Sequence, residues 1–329
     1  MQRSRITGTG AYLPERRVTN DQLVSEMGVD TSDAWIRERT GIGARRIAAP
    51  GEATSDMAAK SAVPALKMAG IDPKELELII VGTISPDMQF PSAAALVQAK
   101  LGATKAACFD VSAACAGSIY ALSIADNFLK TGMFKNALVV GAELLTRIVD
   151  WKDRGTCVLF GDAAGAMVLT RETREGRGIL STHLYTDGTQ ADLLNIPGGG
   201  SRKPFSQEVL DKREQYVKMQ GREVFKTAVR SLEAVSREAL SKNGMTVRDV
   251  NHVIAHQANL RILEAVLKRL EIPTEKCHLN IEQVGNTSSA SVPLTLDQAN
   301  RQGALKDGDL ILMMAIGGGM SWGSALVRW

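Results

Sequence analysis

Three side chains of different types in this 329-residue chain could share one reaction: a thiol, an imidazole and a carboxamide. Cys115 stands in Ser112-Ala113-Ala114-Cys115-Ala116-Gly117, His256 in Ala255-His256-Gln257-Ala258-Asn259, and Asn286 in Gly285-Asn286-Thr287-Ser288-Ser289. A thiolate can attack a thioester carbonyl and keep the acyl group. A neutral imidazole N–H and an amide N–H can hold charge on a neighbouring oxygen without giving up their protons. The trio therefore fits acyl transfer, or carbon–carbon bond formation through an enolate that neither donor quenches. A papain-like protease uses the same residue types, but its histidine must deprotonate the thiol. The local cysteine signature of that family and its order of elements are both missing here.

Each residue also has a plainer reading. Cys115 follows the apolar stretch Ala107–Val111 and opens the helical pattern Gly117–Lys130, among small neighbours that leave room for a carbonyl. The positive end of a helix favours a thiolate there. Cys108 inside a strand, Cys157 in a Thr-Cys-Val-Leu-Phe strand and Cys277 in a loop read as structural. His256 ends a buried strand, whereas His183, His252 and His278 stand in ordinary contexts. Asn286 alone could simply cap a helix. The run Ile316-Gly317-Gly318-Gly319 ends another buried strand, where bare backbone lets an N–H approach an oxygen closely. Gly318 is the candidate second oxyanion donor beside the Cys115 N–H, although a tight turn explains the glycines equally well. Gly8-Thr9-Gly10 lacks the last glycine of a dinucleotide loop, and neither a Walker loop nor a metal-ligand spacing is present.

An internal duplication positions these residues. Displacing the sequence by 174 residues lays Leu76 and Ile79-Ile80-Val81 on Val250 and Val253-Ile254-Ala255, and Ala137-Leu138-Val139-Val140 on Ile311-Leu312-Met313-Met314. A displacement of 158 lays the segment from Gly161 on that from Gly319, so the first half carries extra residues around 146–157. Each half reads as helix, glycine turn, buried strand, helix, strand, helix, strand and hairpin strand, with long helices at 222–242 and 260–270. Short continuous apolar strands alternating with helices indicate an α/β architecture. The halves divide at residues 1–172, with the cysteine, and 173–329, with the histidine and asparagine. All three side chains fall at carboxyl ends of strands or their equivalents, where α/β folds place ligands.

Composition narrows the alternatives. With 44% hydrophobic residues, 23% charged residues and a net charge of +3, the chain is globular and only mildly basic. Nucleic-acid binding is not indicated, and no apolar run is long enough for a membrane span. The N-terminus lacks the apolar segment of a secretory signal, and four cysteines without close pairs do not make a disulfide framework. A cytoplasmic location is the expectation.

Over nearly its whole length the sequence resembles the β-ketoacyl-acyl-carrier-protein synthase III family, thiolase-fold condensing enzymes that initiate type II fatty-acid synthesis. Ala113-Ala114-Cys115-Ala116-Gly117, His256-Gln257-Ala258-Asn259-Leu260-Arg261 and Gly285-Asn286-Thr287-Ser288 carry the likeness, with Thr31-Ser32-Asp33-Ala34-Trp35-Ile36 and Gly323-Ser324-Ala325-Leu326-Val327-Arg328. The resemblance implies a homodimer of five-layered α-β-α-β-α sandwiches, each built from two halves about a pseudo-twofold axis. It implies acyl-CoA, acetyl-CoA first, as primer and malonyl-acyl-carrier protein as extender, with no cofactor. Cys115 would carry the acyl group while His256 and Asn286 support decarboxylation. Thr31, Trp35, Arg39, Arg154 and Asn259 match positions that hold coenzyme A. Gln257, Ala258, Asn259, Leu260 and Arg261, with Lys226, match the carrier-protein contact, and Phe90 matches a residue closing the acyl pocket across the dimer. Ile316, residues 198–218 and Ser85-Pro86-Asp87-Met88-Gln89 depart from familiar members, which leaves a longer or branched primer, or a pathway of secondary metabolism, open.

Overall fold

A computed structural model describes residues 3–329. Strand β1 (Arg3–Tyr12) precedes helices α1 (Asp33–Thr40) and α2 (Thr54–Ala69), strand β2 (Leu78–Gly82), helix α3 (Ala93–Leu101) and strand β3 (Ala107–Val111). Helix α4 (Gly117–Lys130) and strands β4 (Asn136–Glu143) and β5 (Ala163–Glu172) follow. The second series is β6 (Gly178–Thr186), α5 (Gly221–Lys242), β7 (His252–Ala255), α6 (Leu260–Leu270), α7 (Ser291–Arg301), β8 (Leu310–Gly317) and β9 (Ser321–Arg328). The strands form two mixed sheets, in orders β1-β5-β4-β2-β3 and β7-β8-β9-β6.

Alternate residues of each strand face opposite ways, and both faces are covered. Ile79, Val81, Leu138 and Val140 pack against Met57, Leu66 and Val97 of α2 and α3. Leu78, Ile80 and Val139 point instead at Ile119, Leu122, Val292 and Leu296 of α4 and α7, which also receive Ile254, Ile311 and Met313 of the second sheet. Val253, Leu312 and Met314 are covered outside by Leu232, Leu263 and Val266 of α5 and α6. Five layers result, as expected. Fully buried strands explain why the sequence shows apolar runs rather than alternation.

The duplication survives down to register. Ile79 pairs with Leu138 and Val81 with Val140, while Val253 pairs with Leu312 and Ala255 with Met314. Two short 3-10 turns, Ala114–Ala116 and Ser288–Ala290, correspond in the same way, and their first residues share left-handed backbone at φ 45° and 50°. Two glycines let the halves interlock. A Cβ on Gly141 would lie 2.1 Å from the Ser289 carbonyl oxygen, and one on Gly317 would lie 2.3 Å from the Cys115 nitrogen.

Three expectations need correction. The antiparallel strands β1 and β6 complete the sheets but have no place in the expected element order. The counterpart of β3 is not a strand: Ile281–Val284 is helical, and a single parallel bridge between Val253 and Cys277 is what joins β7 on that side. Cys157 lies in turns rather than a strand, because its N–H bonds back to the Asp153 carbonyl at 3.0 Å within the extra segment of the first half.

Candidate active site

Cys115 sits in the turn between β3 and α4, buried, with the Gly317 backbone against its amide. His256 follows β7 directly and is held onto the second sheet by its N–H to the Met314 carbonyl at 2.8 Å. Asn286 is clamped across the halves, its N–H on the Leu159 carbonyl at 2.8 Å and its own carbonyl accepting the Gly161 N–H at 3.0 Å. Its Oδ1 accepts the Ser288 N–H at 2.8 Å, which leaves the Nδ2 amide protons for the cavity. Cys115, His256 and Asn286 line one cavity of about 730 Å³.

The electrostatics fit neutral donors rather than an ion pair. His256 meets the Ser291 hydroxyl at 2.7 Å through Nδ1, so Nε2 is the nitrogen left for the cavity. Burial pushes its pKa down to about 3, so the ring is uncharged near neutrality. Burial also pushes the Cys115 thiol up to about 12. The thiolate expected from the helix terminus is thus not the resting form; desolvation outweighs the helix dipole here.

The buried imidazole makes acid stability a test. Above pH 6.5 it is neutral in both the folded and the unfolded chain, and its contribution is fully present. Below that, the unfolded chain takes up a proton the site refuses. Stability is lost as pH falls from 6.5 toward 3, on the order of 5 kcal/mol at full extent. His256→Gln should therefore flatten the fall of unfolding free energy between pH 6 and 4 in urea titrations. An unchanged slope would show that the native ring protonates normally.

Toward solvent the cavity is lined by Trp35, Arg39, Arg154, Arg222, Lys226, Asn259 and Arg261. The Arg39 and Arg154 guanidinium carbons lie 4.8 and 5.2 Å from the Trp35 ring centroid. Asn259 caps α6 through Oδ1 and donates Nδ2 to the Arg39 carbonyl at 3.0 Å, which fixes α6 against α1. Thr31 does not line the cavity, but its Oγ1 is buried without a hydrogen-bond partner among the described residues. Beyond Cys115 lies an apolar chamber of about 230 Å³, lined by Ile84, Leu145, Phe160, Leu194, Ile196 and Val217, with Ser288 and Gly318 at its edge.

One expected contact is placed elsewhere. Gln257 is buried, its amide donating to the Ala255 and His278 carbonyls and accepting the Asn280 N–H. A docking protein cannot reach that side chain; it braces the segment, while the exposed Arg261 and Lys226 remain available. Phe90 is outside its own chain's chamber and 84% exposed. One residue was missed. Glu143, at the end of β4, is fully buried beside the site, and a carboxylate closing an otherwise apolar strand was the signal that could have found it.

Residues 109–188 match the family model for 3-oxoacyl-(acyl-carrier-protein) synthase III, and residues 240–329 match the model for the C-terminal part of the same enzyme. The β-ketoacyl-(acyl-carrier-protein) synthase III of Caldanaerobacter subterraneus is 50% identical over 324 residues, 98% of this chain and 97% of that protein. The solved 3-oxoacyl-(acyl-carrier-protein) synthase III of Aquifex aeolicus superposes with a TM-score of 0.91 at 49% identity, covering 99% of this chain and 100% of the other. The priming β-ketosynthase of the R1128 polyketide pathway also gives 0.91, at 36% identity, over 99% and 96% of the two chains. Among the described residues no helix is long and apolar enough to cross a membrane. With half its residues shared along the full length of such relatives, the chain belongs to the β-ketoacyl-acyl-carrier-protein synthase III family of condensing acyltransferases that initiate fatty-acid synthesis.

Proposed function

We propose a decarboxylating Claisen condensation that joins an acyl-CoA primer, acetyl-CoA first, to malonyl-acyl-carrier protein. The observation that carries this reading is one cavity: it runs from the basic mouth around Trp35 to Cys115, His256 and Asn286. The adenine of coenzyme A would stack on Trp35, displacing one of its guanidinium partners, with the buried Thr31 hydroxyl as an available hydrogen-bonding group. Arg39 and Arg154 would meet phosphate. The pantetheine would then follow the cavity inward past Asn259.

Cys115 attacks the thioester carbonyl, whose oxygen takes hydrogen bonds from the Cys115 and Gly318 N–H groups. Coenzyme A leaves, and the acyl chain occupies the apolar chamber. The carrier protein, acidic by this reading, docks on Lys226, Arg261 and the backbone around Ala258 and Leu260, and delivers the malonyl group by the same route. Loss of carbon dioxide puts charge on the thioester oxygen, where His256 Nε2–H and Asn286 Nδ2–H hold it. The resulting carbanion attacks the acyl-cysteine and releases the 3-ketoacyl product. No cofactor takes part. The exposed Phe90 would close the chamber of a second subunit in a homodimer.

The chamber's apolar lining favours a second reading in which the primer is longer or branched. Intact-protein mass spectrometry after incubation with a mixed acyl-CoA panel decides between them. An acetyl adduct supports the first reading and a longer acyl adduct the second. No adduct on Cys115 with any member removes both.

A further inference from the structure

The reaction needs the Cys115 proton removed, and the neutral donor pair does not do it. His256, with its pKa pushed down to about 3, is a poor base toward a thiol pushed up to about 12. A better acceptor is buried close enough for Cys115 to feel its charge. The Glu143 carboxylate is fully buried, and Ser85 Oγ donates to its Oε2 at 2.6 Å, with Thr83 Oγ1 and the Ile84 N–H each at 3.2 Å. Its other oxygen, Oε1, accepts the Ser288 hydroxyl at 3.1 Å. Ser288 and Cys115 border the same apolar chamber, on two short turns that pack against each other. Ser288 holds left-handed backbone at φ 50°, a conformation costly for a non-glycine residue and often kept where function needs it. The Asn286 side chain secures it through the Ser288 N–H.

We propose that Ser288 and Glu143 form a proton relay that activates Cys115 for acylation. The proposal rests on the acyl-transfer reading above. The S–H bond breaks as the S–C bond forms at the thioester carbonyl. The thiol proton passes to Ser288 Oγ, whose own proton passes to Glu143 Oε1. When the C–S bond to coenzyme A breaks, the proton returns by the same hydroxyl to the departing thiolate, and Glu143 is again ionised. Burial holds the Glu143 pKa up at about 7, so the group can both take and release a proton near neutrality. The groups reaching its carboxylate are Thr83, Ser85 and the Ile84 amide after β2, with Ser288 before α7. None of these titrates near neutrality. The titratable neighbours in the site are Cys115, which feels its charge, and the neutral His256.

The test separates half-reactions. Acylation of Cys115 by acetyl-CoA is timed by quenched-flow mass spectrometry from pH 5.5 to 8.5. Carbon dioxide release from malonyl-acyl-carrier protein is then measured on enzyme already acylated. Acylation of the wild-type enzyme should rise through pH 7. Glu143→Gln, which keeps the shape of the carboxylate, should acylate about 100-fold more slowly and lose that inflection, with decarboxylation changed less than about threefold. Ser288→Ala should slow acylation alike, and the equivalent Ala114 already occupies the same backbone conformation, so the variant should fold. Wild-type-like acylation in either variant overturns the relay. So does an equal loss in both half-reactions, which marks a structural role. A wild-type enzyme that never acylates at Cys115 fails the function reading itself, and the relay with it.

Discussion

Cys115→Ser should take up no acyl mass from any acyl-CoA, a loss on the order of 10⁴-fold or more in acylation rate. A serine hydroxyl is far less acidic than a thiol, and burial that already pushes the thiol up to about 12 would disfavour an alkoxide further. No other cysteine can substitute. Cys108, Cys157 and Cys277 line neither the main cavity nor the chamber behind it. Burial also pushes their thiols up, to about 11, 11 and 12. Intact-protein and peptide mass spectrometry check this directly. An adduct of equal yield in the variant, or one mapped to another cysteine in the native enzyme, removes Cys115 from the reaction.

Asn286→Ala should separate the two stages. On the proposed mechanism, deleting one of two enolate donors should cost about 10²- to 10³-fold in carbon dioxide release, while the acyl-enzyme still forms. Asn286 has a second duty, because its Oδ1 holds the Ser288 N–H. Asn286→Asp keeps that acceptor and loses the amide protons. Decarboxylation should therefore collapse in both variants, and acylation should suffer more in the alanine variant than in the aspartate one. Radiolabelled malonyl-acyl-carrier protein gives the first rate and mass spectrometry the second. Carbon dioxide released at the native rate from either variant ends the donor role of Asn286.

The strands of the two sheets were legible where duplication and apolar runs coincide. Ile79-Ile80-Val81 and Val253-Ile254-Ala255 correspond at one constant displacement, and their pairing partners correspond in the same step. Strand β1 was not legible, because Arg3–Tyr12 is held by pairing with Glu172 and its neighbours some 160 residues away, and its own pattern is broken by glycines and a bulge between Ile6 and Gly8. The lost counterpart of β3 was hidden for a related reason. Ile281 and Val284 look strand-like in sequence, yet their segment curls into a helical turn that delivers Asn286 to the Leu159 backbone.

The chemistry-bearing trio was legible because each member stands at the end of an apolar strand or at its duplicated position. Side-chain direction was not. Gln257 lies between His256 and the exposed helix start, and the carbonyls of Ala255 and His278, with the Asn280 N–H, turn it inward. Glu143 is harder still. Its meaning depends on Ser85 and Ser288, residues 58 and 145 positions away.

The interlocking at Gly141 and Gly317 means that neither half is a self-sufficient module. Each provides the bed on which the other's reactive turn lies, with no room for even a methyl group between them. Substitutions in one copy are thereby answerable to the other. The ancestral repeat can have drifted in loops and at its rim, but at this seam the two copies are obliged to change together.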